Sequence, residues 1–203
     1  MKFPVAVAVA VAGAVAMLVA PLCLQAQQST PPSSTAAQAA MAGAEMSAAP
    51  DIGAIAPDFT AKGASMAGTH DVSLKALRGQ VVVLAFYPLD RSSGCTHEME
   101  KFRDEFSTIF GSGATVLPIS EDSVASHVGW ARDAKFPFTL VSDTKGEIAG
   151  QYGSMMPGRP YASRTVFVIG KDGKVAYRNM KFGALDQHAY DALTAAVAKA
   201  KAE

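Results

Sequence analysis

The sequence predicts an α/β fold with a mixed central sheet and helices on both faces, and three observations carry that prediction. VVVLAFY at 81–87 is a continuous apolar run, as a strand buried on both sides would be. Strand-like and helix-like segments then alternate as far as residue 152. Finally RTVFVIG at 164–170, the turn Lys171-Asp172-Gly173-Lys174 and VAYRN at 175–179 read as a β-hairpin, because Asp-Gly supplies the positive φ a tight turn needs.

In chain order, the domain is expected to start near Ile52, with short edge segments around Asp58 to Thr60 and Asp71 to Leu74 and a loop closed by Gly79. Pro88 stops the 81–87 strand, and a turn spans Asp90 to Gly94. Met99, Phe102, Phe106 and Ile109 then recur at three- and four-residue spacing, predicting one helix that begins near Cys95 and holds that residue on its apolar face. A strand at 115–119, a helix opening at Ser123, a short strand at 138–141 and a helical turn at 145–152 follow. His127 belongs with Val124, Val128 and Ala131 on a partly buried helix face. The hairpin and a helix from about 185 to 200 close the chain. This order is the thioredoxin-like one.

Acidic and basic residues balance at 18 each, without a basic run or an Arg-rich stripe, so neither nucleic acid nor an anionic membrane surface is a favoured partner. Residues 1–26 read as an export signal: Lys2, a Val/Ala-rich run, a break near Pro21 and a cleavage site at Leu24-Gln25-Ala26. Left uncut, the run from Val5 to Leu24 is long enough to anchor the chain in a bilayer. A lipid-modified Cys23 is disfavoured by Leu22 before it. Residues 27–50, rich in Ser, Thr, Pro, Gln and Ala, read as a flexible tether, leaving 51–203 as one domain of ordinary size. The expected location is periplasmic or secreted.

With the leader set aside, Cys95 is the only cysteine, and it stands where a strand gives way to a helix. A thiol in a first helical turn faces unpaired backbone N–H groups and the positive end of the helix dipole, which favour the thiolate. Ser92, three residues earlier, can donate a hydrogen bond to the sulfur or to a bound oxygen; the simpler reading is that Ser92 or Ser93 caps the helix. Arg164 opens an inner strand and can place a guanidinium beside the thiol, with Arg91 second for that role. A metal-handling module using Cys95 and His97 is poorly supported, because the histidines at 70, 127 and 188 are scattered and no second cysteine is available. A non-catalytic domain that binds a partner through the Gly153 to Ala162 loop, where Met155 and Met156 lie, is the other rival.

Pro88, Ser92 and Cys95 fit the pattern Pro, three residues, Thr or Ser, two residues, Cys. With GAIAPDFT at 53–60, SLKALRGQVVVLAFYP at 73–88, ISEDSVASHV at 119–128, PFTLVSD at 137–143 and RTVFVIGKDGKV at 164–175, the chain resembles the peroxiredoxins of AhpC/TSA type, and within them the bacterioferritin-comigratory group. The resemblance implies a thioredoxin-like fold and a thiol peroxidase without cofactor or metal. In it Cys95 attacks the peroxide, Ser92 donates to it, Arg164 stabilises the developing charge, Pro88 shields the pocket and Glu98 orients the arginine. Two departures stand out. Ser92 replaces the usual threonine, and Glu100 occupies the position five residues on where many relatives carry a resolving cysteine. A one-cysteine cycle completed by an external thiol, or by Cys95 of a partner subunit, is the expectation.

Thiolate formation alone does not make such an enzyme fast. A thiol pKa lowered from about 8.5 to about 5.5 raises the thiolate fraction at neutral pH roughly thirtyfold, but the lost basicity costs about twentyfold in nucleophilicity. Donors aimed at the peroxide oxygens must supply the rest. Ser92, Arg164 and the backbone N–H of Cys95 are the candidates.

Overall fold

The computed structural model describes residues 48–203; the expected signal, its cleavage site, Cys23 and the tether as far as residue 47 lie outside the described residues. Seven strands form one mixed sheet: β1 (Thr60–Ser65), β2 (Gly68–Ser73), β3 (Val81–Phe86), β4 (Ala114–Ser120), β5 (Leu140–Ser142), β6 (Thr165–Ile169) and β7 (Val175–Asn179), in the order β2-β1-β5-β4-β3-β6-β7. The α-helices are α1 (Ser93–Asp104), α2 (Phe106–Ile109), α3 (Val124–Ala134), α4 (Glu147–Gln151) and α5 (Gln187–Ala202).

β3 is an inner strand of the sheet, parallel to β4 and antiparallel to β6, and its six residues are all buried. Its pleat sends alternate side chains to two cores. Val81, Val83 and Ala85, with Tyr87 beyond the strand end, pack with Cys95, Met99 and Phe102 of α1, Trp130 of α3 and Tyr190 and Leu193 of α5. Val82, Leu84 and Phe86 face the other way, against Phe59, Leu74, Tyr152 and Ile148 of α4. The apolar run predicted this two-sided burial, and helices do cover both faces.

Several elements differ from their expected bounds, and the following differences bear on the packing. The edge segments are a longer hairpin, β1 and β2, paired from Thr60 with Ser73 to Ser65 with Gly68. Their sequences, TAKGAS and GTHDVS, lack the apolar alternation that would mark them, because only β1 joins the rest of the sheet, through β5, and β2 is an edge. The fifth strand begins at Leu140, two residues later than expected. The helix beginning near Cys95 is two: Glu105, at φ −106 and ψ 23, interrupts it, and the change of direction buries both Ile109 and Phe110. Phe110 then meets Phe102 edge to face, with ring centroids 5.1 Å apart, which fixes α1 against the core.

Ala49 and Pro50, in the segment expected to be tether, are half-buried, and their carbonyls accept from Arg178 Nη1 at 3.1 Å each. Packing therefore begins just before Asp51.

Candidate active site

β3 ends at Phe86 and α1 starts at Ser93, so the short connection 87–92 sets where the first helical turn points. Cys95 lies in that turn, fully buried, with its sulfur in contact with the larger core. Arg164, the residue before β6, reaches over from the neighbouring strand, and its Nη2 donates to Cys95 Sγ at 3.3 Å. Gly94 makes the approach possible: a Cβ there would stand 2.6 Å from Nη2. A side chain at position 94 would push the guanidinium off the sulfur.

Glu98 lies one turn further along α1, with Oε2 3.5 Å from Arg164 Nε. The side chain is wholly buried, and neither carboxyl oxygen has a hydrogen-bond partner. Burial raises its pKa from the ordinary 4.5 to about 8, against the opposing pull of the Arg164 charge. Near neutrality Glu98 is therefore chiefly the neutral acid, and the guanidinium charge remains available to the sulfur.

Below about pH 4.5 folded and unfolded chains both hold the Glu98 proton. Between about 4.5 and about 8 only the folded chain holds it, so this group makes stability fall as pH rises, by at most about 1.4 kcal/mol per unit, and its effect levels off above about 8. Glu98→Gln removes that slope. Thermal unfolding at about pH 5 and about pH 8 should show the variant losing less stability across the interval than the wild type. Parallel losses would mean that Glu98 is ionised in the folded chain.

Ser92 occupies the N-cap position of α1 but does not cap it with its side chain; its hydroxyl donates instead to the Leu89 carbonyl at 3.0 Å. Thr96 N–H makes the first intrahelical bond, to the Ser92 carbonyl, so the N–H groups of Ser93, Gly94 and Cys95 keep no partner within the helix and none from the cap side chain. Pro88 is half-buried at the end of β3. Arg91 turns away from the sulfur: its guanidinium pairs with Asp133 on α3 at 2.8 Å. The second-ranked arginine is thus removed from the thiol. His97 is exposed while Cys95, two residues before it, is buried, since positions i and i+2 do not share a helix face; the two are not placed as a pair of ligands.

Two acids escaped the sequence reading. Asp90, next to the turn, is buried and accepts from Tyr87 Oη at 2.7 Å, Ser126 Oγ at 2.6 Å and His127 Nδ1 at 3.0 Å. Burial pushes its carboxyl up, but the hydrogen bond and charge of His127, with Ser126 and Tyr87, more than offset this and hold it below the ordinary carboxylate value. His127 is wholly buried, not partly, because its ring closes this cluster. Glu121 accepts from Ala162 N–H at 2.9 Å and so ties down the 153–162 loop just before Arg164; burial raises its pKa to about 7. An acid shortly after a strand, as in Tyr87-Pro88-Leu89-Asp90, was the available signal in the first case.

Comparison with known proteins adds the following. The model of the AhpC/TSA family matches residues 52–178. Peroxiredoxin bcp of Coxiella burnetii is 40% identical over 111 residues, covering 52% of this chain and 74% of that protein. The chloroplastic peroxiredoxin Q of Triticum aestivum is 36% identical over 131 residues, covering 62% of this chain; the match spans only 57% of that relative's length. Among solved structures, the peroxidoxin BcpB of Mycobacterium tuberculosis superposes with a TM-score of 0.64 at 29% identity, over 74% of this chain and 97% of that one. The bacterioferritin comigratory protein of Xanthomonas campestris, described for its alkyl peroxide reduction activity, gives 0.58 at 28% identity, over 68% and 91%.

Proposed function

The chain belongs to the AhpC/TSA family, the peroxiredoxins, and on that premise we propose that it is a thiol-dependent peroxidase that reduces hydrogen peroxide and organic hydroperoxides through Cys95. The observation that carries the reading is the 3.3 Å contact between Arg164 and the Cys95 sulfur in a first helical turn with unclaimed N–H groups.

The Cys95 thiolate attacks the terminal oxygen of ROOH; the S–O bond forms as the O–O bond breaks, leaving Cys95 sulfenic acid and RO⁻, which takes a proton to become ROH. Negative charge moves from sulfur to the leaving oxygen during that step. Arg164 stands where it can follow the charge, and the Gly94 and Cys95 N–H groups present further donors in a site closed to bulk water on the core side. Ser92 does not keep the donor role expected of it: its own proton is committed to Leu89, which leaves its oxygen to accept the O–H of the peroxide. The resemblance assigns Pro88, half-buried just beyond β3, the shielding of the pocket, and Glu98, with Oε2 3.5 Å from Arg164 Nε, the orientation of the guanidinium.

Cys95 is the sole cysteine of the described residues, so an external thiol, of a thioredoxin-like protein or a small molecule, completes the cycle; Cys95 of a second subunit is the other route. The chain acts outside the cytoplasm, a reading supported by Lys2, the apolar run and the Leu24-Gln25-Ala26 site. Organic hydroperoxides are included on the strength of the activity described for the Xanthomonas protein.

Intact-mass measurement after one equivalent of hydrogen peroxide should show a gain of one oxygen on Cys95 that dithiothreitol reverses. Protein whose mass is unchanged while peroxide persists would overturn the reading.

A further inference from the structure

The loop that leads from β3 into the first turn of α1 is tied down at Asp90. The donors on its carboxylate come from two places: Tyr87 at the end of β3, and Ser126 and His127 on α3. Its backbone N–H donates to Asp122 Oδ2 at 2.8 Å, and Asp122 is itself held by Ser120 Oγ at 2.9 Å. His127 Nε2 is buried without a partner, so among the described contacts the ring is oriented through its Nδ1 bonds to Asp90.

The next residue, Arg91, sits at φ 57, a left-handed conformation that is unfavourable for a non-glycine residue. It is held on both sides: Asp90 is anchored as above, and Arg91 Nη1 and Nη2 reach Ser126 O at 3.4 Å and Asp133 Oδ2 at 2.8 Å. The loop thus keeps a conformation it would not favour alone.

The two half-reactions make opposite demands on it. Attack on peroxide needs only a small molecule to reach a preformed site. Reduction of the sulfenic acid needs a thiol to reach a sulfur that is 0% exposed; an S–S bond forms, the S–O bond breaks, and the oxygen leaves as water with the thiol's proton. A second thiol then releases Cys95 and carries off the disulfide. The first turn of α1 must open for this, and the 88–92 loop leads directly into that turn.

We propose that Asp90, clamped by Tyr87, Ser126 and His127, is a positioning residue that sets the balance between the half-reactions: clamped, it favours peroxide attack, and released, it favours reduction by external thiol. The inference rests on the peroxidase reading above. The Asp90 carboxylate has no described contact with the sulfur or with Arg164; it acts through the loop and through Tyr87, which shares its core with Cys95.

Stopped-flow kinetics on the full chain, with hydrogen peroxide and dithiothreitol as probes, separates the two steps. Asp90→Asn should slow oxidation at least about tenfold and speed reduction by dithiothreitol at least about threefold. Ser126→Ala, which removes one donor at a half-buried position, should move both constants the same way by less, and it carries the test if Asp90→Asn does not fold. Parallel falls in both constants, or no change in either, would overturn the proposal, since a merely structural role scales both with the folded fraction. A wild-type protein that leaves peroxide unconsumed would instead sink the peroxidase reading itself.

Discussion

Cys95→Ser is expected to lower the rate of peroxide consumption by at least about a thousandfold while leaving the chain folded. The substitution exchanges a thiol for a hydroxyl, a far weaker nucleophile, so the nucleophile is lost whatever else survives. Stability should change little, because the smaller oxygen occupies the same core position and Arg164 Nη2, now 3.3 Å from the sulfur, can donate to it instead. Peroxide consumption followed by stopped flow, beside thermal unfolding, checks both halves. A loss smaller than about tenfold in folded protein would remove Cys95 from the reaction.

Arg164→Ala should cost about a hundred- to a thousandfold in the rate constant with peroxide, the scale on which removal of an oxyanion donor is felt. The fold should tolerate the change for a particular reason. Removing one partner of a buried ion pair normally strands a charge and costs several kcal/mol. Glu98, however, already lies near a pKa of about 8 with the arginine present, and losing that cation moves it further toward the neutral acid. What remains is a buried neutral carboxyl, a milder defect. Arg164→Lys should recover part of the rate, since it keeps the charge but lacks the fork that reaches Glu98 with Nε and the sulfur with Nη2. A rate constant unchanged in Arg164→Ala would remove the guanidinium from charge stabilisation; unfolding of the variant would mean that Glu98 is ionised and depends on it.

Much of this was legible in the chain because it depends on local pattern. A strand buried on both faces must be apolar throughout, and β3 is; a tight hairpin needs its Asp-Gly, and β6 and β7 have it. The edge hairpin was misplaced because a strand with few core contacts leaves no apolar signature. The break at Glu105 left none either, as Phe106 and Ile109 continue the helical spacing across it.

The sequence by itself determined the α/β class, the strand-to-helix junction and the placing of a lone thiol in the first turn, since these follow from residue type and spacing within a few turns of chain. Only the tertiary structure decided which charge reaches that thiol. Arg91, four residues away, points to Asp133, while Arg164, 69 residues away, lies against the sulfur because β6 pairs with β3 and Gly94 leaves room. It also decided that Ser92 donates to Leu89 rather than capping the helix, and that Asp90 meets His127 across 37 residues. Such contacts depend on sheet order and on how far each helix lies from its neighbour, and no short-range pattern encodes either.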